Sequence, residues 1–230
     1  MKEETLKKVE ESTANWAYMK ELPDSIRNFE LRRLNLVHGD IYDLFAYTNE
    51  AAHKSAIAYY HEETDEYKVR VQFGSFEFCV KECIVPKLED FEKALRKHFD
   101  EIIGDMAAFN PEKSDVVFTD KHILEWPFAK TLPERLEDFE LYIRPSKPFR
   151  ITNGSYIILD YEHFPSKSNL AIYYNIFRND FFGDEHIAAI PSTDYEFDAR
   201  TLDELEDKIT LRLAPRLKKI RELAQSKSSS

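Results

Sequence analysis

The chain has 230 residues, of which 43% are hydrophobic and 13% aromatic, and it carries a formal charge of −11. That composition supplies a packed core for one large or two small domains, while the acidic balance repels a phosphate backbone and disfavours generic nucleic-acid binding. Only five glycines are present, which weighs against the glycine-built loops that cradle phosphates or present nucleophiles.

The first segment, "MKEETLKKVEE", is charged and lacks the apolar run of a secretory signal. No stretch approaches the ~18 apolar residues of a membrane span. A cytoplasmic location without membrane contact is therefore expected. Leu6, Val9, Thr13, Trp16 and Ala17 fall on one side of an amphipathic helix at the start.

The phrase that follows, "NWAYMKELPDSIRNFEL" from Asn15 to Leu31, is nearly repeated as "EWPFAKTLPERLEDFEL" from Glu125 to Leu141. Trp16/Trp126, Lys20/Lys130, Leu22/Leu132, Pro23/Pro133, Phe29/Phe139, Glu30/Glu140 and Leu31/Leu141 match at a constant spacing of 110 positions. Both tryptophans of the chain occupy the same slot. Pro23 and Pro133 suit the first position of a helix, where the missing N–H costs nothing, and the acid after each favours the positive helix end. A short helix is thus expected from each proline to Phe29 and Phe139. The Trp-and-Leu-Pro phrase should pin that helix to the core; lining a ligand groove is the alternative.

Period-2 segments rich in aromatic and β-branched residues come next: "DIYDLFAYT", "SAIAYYHEE", "EYKVRVQF" and "SFEFCVKECI". Paired Tyr59/Tyr60 should send one ring inward and one outward. Cys79 and Cys83 lie on the last of these strands, about 13 Å apart along it, too far for one zinc or a disulfide. "HEETDEY" begins like a zincin motif, but position 65 is Asp, and no metal site is expected there. Leu88, Phe91, Leu95, Phe99, Ile102 and Ile103 then form the stripe of a long amphipathic helix.

"GDMAAFNPEKSD", Gly104 to Asp115, reads as the connection between two repeats. After the second copy of the phrase, strands are expected at "FELYIRP", "SYIILDYEHF", "NLAIYYNIF", "EHIAAI" and "YEFDA". Here Tyr173/Tyr174 stand 114 positions after Tyr59/Tyr60, and Leu202, Leu205, Ile209 and Leu213 stand 114 after Leu88, Phe91, Leu95 and Phe99. Thr201 with Glu204 spells a capping box, and Pro215 should kink or end the closing helix. The basic cluster Arg212, Arg216, Lys218, Lys219 and Arg221 complements a helix C-terminus.

The fold expected is α+β: a tandem duplication of an antiparallel meander of four to five strands, each closed by a long amphipathic helix, the copies related by a pseudo-twofold axis. The repeats are placed at 1–106 and 116–225, with a linker at 107–115 and a disordered tail at 226–230.

No P-loop, dinucleotide fingerprint, GxSxG or SxxK occurs, and no histidine pair has metal spacing. No catalytic, cofactor-binding or metal residue is assigned. The expectation is a non-enzymatic binding protein, comparable at the level of fold alone to immunity, antitoxin or chaperone proteins. It would use an acidic, aromatic-bearing sheet face or inter-repeat cleft to hold a protein partner, one with a basic surface. Candidate contacts are Trp16, Trp126, Tyr60, Tyr174 and Asp184. One alternative is an enzyme with a cleft site drawn from Tyr60, His61, Glu62, Tyr174, Asp184 and His186. Another is a subunit that oligomerises through exposed sheet edges.

Overall fold

The computed structural model describes residues 1–151 and 154–228. The protein is α+β and divides into two compact units, Met1–Ala108 and Phe109–Ser230. Each unit is an antiparallel sheet with a long helix on one face.

The first unit opens with α1 (Glu3–Ala14) and α2 (Ala17–Glu21). Its sheet follows chain order: β1 (Ser25–Ile26), β2 (Phe29–His38), β3 (Ile41–Asn49), β4 (Lys54–His61), β5 (Glu66–Phe73) and β6 (Phe76–Cys79). α3 (Leu88–Ala107) closes the unit and buries Phe91, Leu95, Phe99, Ile103 and Met106. Phe99 meets Phe45 and Tyr47 of β3 at ring distances of 5.7 and 5.6 Å, and Phe91 stacks on Tyr67 of β5 at 5.5 Å.

In the second unit α4 (Val116–Thr119) precedes β7 (Arg135–Leu136), β8 (Phe139–Ile143), β9 (Phe149–Ile151), β10 (Ser155–His163), β11 (Ser168–Asn175), β12 (Asp180–Ile187) and β13 (Ile190–Ala199). The sheet order is β13-β12-β11-β10-β8-β7, with β9 also paired to β10. α5 (Leu202–Ser228) covers it through Leu205, Ile209, Leu213, Leu217, Ile220 and Ala224, all buried. No helix among the described residues is long and apolar enough to cross a membrane.

The duplication reaches individual hydrogen bonds. Tyr47 donates its hydroxyl to the Pro23 carbonyl at 2.6 Å, and Tyr161 does the same to Pro133 at 2.7 Å. Tyr60 reaches Asp65 Oδ1 at 2.5 Å; Tyr174 reaches Asn179 Oδ1 at 2.8 Å. Non-glycine residues with positive φ recur in the same slots: Arg27 and Glu137, His53 and Lys167, Asp65 and Asn179.

Several expectations are corrected. The sheets have six and seven strands where four or five are expected. The surplus is β9, which pairs with β10, and the strands at the Leu-Pro phrase, which makes no helix: its chain turns through positive φ at Arg27 and Glu137 into the hairpins β1–β2 and β7–β8. A left-handed residue cannot continue a right-handed helix. The helical turn lies before the proline, at α2, consistent with the steric bar on α conformation at the residue preceding proline.

Pro215 does not end α5. It sits on an exposed part of the helix, so water can solvate the carbonyl it leaves unbonded, while Leu213, Leu217 and Ile220 hold both sides to the sheet. Residues 226–228 of the expected tail are helical; 229 and 230 lie outside the described residues. Within the expected linker, Asp115 accepts a hydrogen bond from Tyr156 at 2.7 Å and so joins the second unit. The strand carrying Cys79 stops there, and Cys83 lies in a 3-10 turn; both thiols are free.

Candidate functional site

The repeated phrase places each tryptophan between a short helical turn and the closing helix of its unit. Trp16 is buried, lies 5.2 Å from the Tyr18 ring and 6.2 Å from Phe91, and donates its indole N–H to Glu92 at 2.7 Å. Trp126 is likewise buried, lies 5.2 Å from Phe128 and donates to Glu206 at 3.3 Å. Glu206 stands 114 positions after Glu92, so the carboxylate partner is duplicated together with the indole. Sequence reading passed over both acids, because 43 Asp and Glu residues make any one of them inconspicuous. Their signal was the register shared by the two closing helices.

Around Trp126 the surface opens into a groove of about 540 Å³, lined by His122, Glu125, Trp126, Pro127, Phe128, Thr131, Leu202, Asp203 and Glu206. Its floor is aromatic and aliphatic, from Trp126, Phe128 and Leu202. Its carboxylates are Glu125 and Asp203, both exposed, and half-buried Glu206. Three like charges around an apolar floor favour a ligand that is cationic at one end and flat or aliphatic behind it.

Of the five residues expected to bind, only Trp126 lines this groove. Trp16 holds the corresponding place in the first unit. Tyr60 and Tyr174, two of the candidate contacts, face the helices. Tyr60 packs on Tyr67 at 5.1 Å and Tyr174 on Phe181 at 5.1 Å, both are buried, and burial pushes the Tyr174 hydroxyl up to about 12. Tyr59 and Tyr173 take the opposite face. Asp184 is half-buried beside Tyr173, and loss of solvation raises its carboxyl above the ordinary range.

The face of β10–β12 that carries Asp184 also holds a hydrogen-bonded line of polar groups. Asn169 donates to Asp160 Oδ1 at 2.9 Å and accepts from the His186 backbone N–H at 3.0 Å, its Oδ1 lying 2.8 Å from His186 Nδ1. Asp160 is wholly buried, and its Oδ2 has no hydrogen-bond partner among the described residues. Desolvation, with repulsion from Glu162 behind it, holds this carboxyl well above the ordinary range. Burial lowers the His186 imidazole in the same neighbourhood. His186 and Asp184 thus share a face that Tyr174 does not.

In the first unit Asp40, His61 and Glu63 bring ligand atoms within 4.8 Å of one another. His61 Nε2 is 3.0 Å from Asp40 Oδ2, and the Glu62 N–H binds the Asp40 carbonyl at 2.8 Å, which ties the two turns together. These three side chains have the chemistry to hold a divalent cation. Spacing along the "HEETDEY" run could not reveal them, since Asp40 comes from a different hairpin.

Comparison with protein-family models, curated proteins and solved structures gives no match to this chain. The class defined by fold and groove is a duplicated α+β protein with an acidic, aromatic-floored recess in its second unit.

Proposed function

We propose that this protein is a non-enzymatic binding protein that holds a basic segment of a protein partner in the groove beside Trp126. The observation that carries this reading is the lining of that groove: Trp126, Phe128 and Leu202 as an apolar floor, with Glu125, Asp203 and Glu206 around it. Aromatic rings anchor interfaces, and carboxylates at the rim steer a cationic partner and set its register. The charge of −11 adds a long-range field of the same sign.

The test is affinity capture from host lysate with two baits, the natural chain and a Glu125→Lys/Asp203→Lys variant, at low and moderate salt. Both changes are on exposed side chains and leave the core intact. A basic protein retained by the natural chain, released by salt and absent from the variant is the expected result. Identical partners on both baits, or none on either, would overturn the reading.

A further inference from the structure

We infer that the groove of the second unit receives an arginine side chain of the partner, its guanidinium lying over Phe128 and bonded to Glu206. This rests on the reading of the groove as a binding site, and the first unit supplies the argument. There the same frame is occupied from within. Arg96, one turn after Glu92 on α3, donates its Nε–H to Glu92 at 2.9 Å and an Nη2–H to Glu21 at 2.7 Å. Its guanidinium carbon also lies 4.9 Å from the centre of the Tyr18 ring. The first unit thus fills its aromatic-and-acid frame with its own arginine.

The second unit repeats the frame and drops the arginine. Trp126, Phe128 and Glu206 replace Trp16, Tyr18 and Glu92, with the two ring pairs tilted by 38° and 32° at the same 5.2 Å separation. The residue in the register of Arg96 is Thr210, exposed and too short to reach the groove, and Thr131 replaces Glu21. Two lysines close in sequence are engaged elsewhere: Lys208 with Glu204 at 2.9 Å and Lys121 with the Arg200 carbonyl at 3.3 Å. The acid count does not fall with the loss of the cation, because Glu125 stands where the first unit has Asn15. A planar fork that stacks on a ring and binds carboxylate edge-on matches this lining better than an ammonium, which is a strongly hydrated point charge.

The experiment follows the two indole N–H signals by NMR during titration of the full chain with a blocked tri-arginine peptide. Tri-lysine and free arginine are the comparison ligands. Tri-arginine is expected to shift the Trp126 signal and not that of Trp16, and to bind at least fivefold more tightly than tri-lysine. Thr210→Arg should abolish the shift by filling the groove from within; its position is exposed, and arginine is a good helix former, so the fold is retained. Glu206→Gln should weaken binding about tenfold, the loss of one charge-assisted pair. Equal binding of lysine and arginine would end the guanidinium assignment and leave a basic-segment groove standing. Failure of both peptides at low salt would remove the groove as a cation site altogether. Undiminished binding to folded Thr210→Arg, or free arginine outcompeting the peptide, would also overturn the inference.

Discussion

Asp160 shows at the scale of one residue how this fold treats charge. A carboxyl with no exposed surface, facing Glu162 across the same strand face, holds its proton to higher pH than an exposed aspartate does. Its folded-state value lies above its unfolded one, so between the two the folded chain carries a proton that the unfolded chain has released. Stability then falls as pH rises through that window, which opens at about pH 4, by about 1.4 kcal/mol per pH unit for one proton. Asp160→Asn cannot ionise and still offers an oxygen to the Asn169 amide. The variant should match the natural chain near pH 4 and exceed it progressively at higher pH, as read from urea midpoints at several pH values. Parallel curves would show that Asp160 is ionised in the folded state. Nothing in the local run "ILDYEH" announces this, because burial of an aspartate on a strand depends on which face is covered. Trp16 and Trp126 were legible for the opposite reason. A rare residue repeated at a fixed spacing needs no tertiary knowledge to be noticed, although its carboxylate partner does.

Among the elements, the closing helices were the most legible and the hairpins after Leu-Pro the least. A stripe at 3.6-residue spacing reports burial directly, and the apolar positions of α3 and α5 point to their sheets as the pattern requires. The β1–β2 and β7–β8 turns depend instead on positive φ at Arg27 and Glu137, positions held by neither glycine nor asparagine, and the turn-type residues beside them, Asn28 and Asp138, also suit the end of a short helix. Polar contacts beneath α5 were also invisible. Arg216 reaches under the helix to Glu185, with Nε and Nη2 each 2.9 Å from a carboxylate oxygen. Asp194 Oδ2 lies 3.2 Å from the same Nε without hydrogen-bond alignment, so its share is electrostatic. Glu185 and Asp194 are both buried, and Arg216→Ala would strand two charges beneath the helix at a cost of about 3–5 kcal/mol. Arg216→Met combined with Glu185→Leu and Asp194→Asn should cost distinctly less, since no buried charge remains. Chemical denaturation of the two variants separates the outcomes; equal losses would mean that neither the stranded charges nor the aliphatic stem carries the effect, and that the hydrogen-bonded ion pair itself does.

For the molecule as a whole, the duplication sets the energetic organisation. Each unit has its own sheet, helix and apolar core, and the Tyr–Pro carbonyl bond appears once in each, Tyr47 to Pro23 and Tyr161 to Pro133. Both tyrosines are fully buried. Removing either hydroxyl by Tyr47→Phe or Tyr161→Phe keeps the ring and leaves a carbonyl without its donor, at a cost of about 1–3 kcal/mol each. The two bonds share no partner and belong to separate cores, the situation in which mutational effects add to within about 0.5 kcal/mol. The double variant should therefore lose the sum of the single losses when all four proteins are unfolded in urea under the same conditions. A coupling well above 0.5 kcal/mol would show that the two cores respond to one another when either is weakened. Additivity would show that loosening one core leaves the packing of the other unchanged.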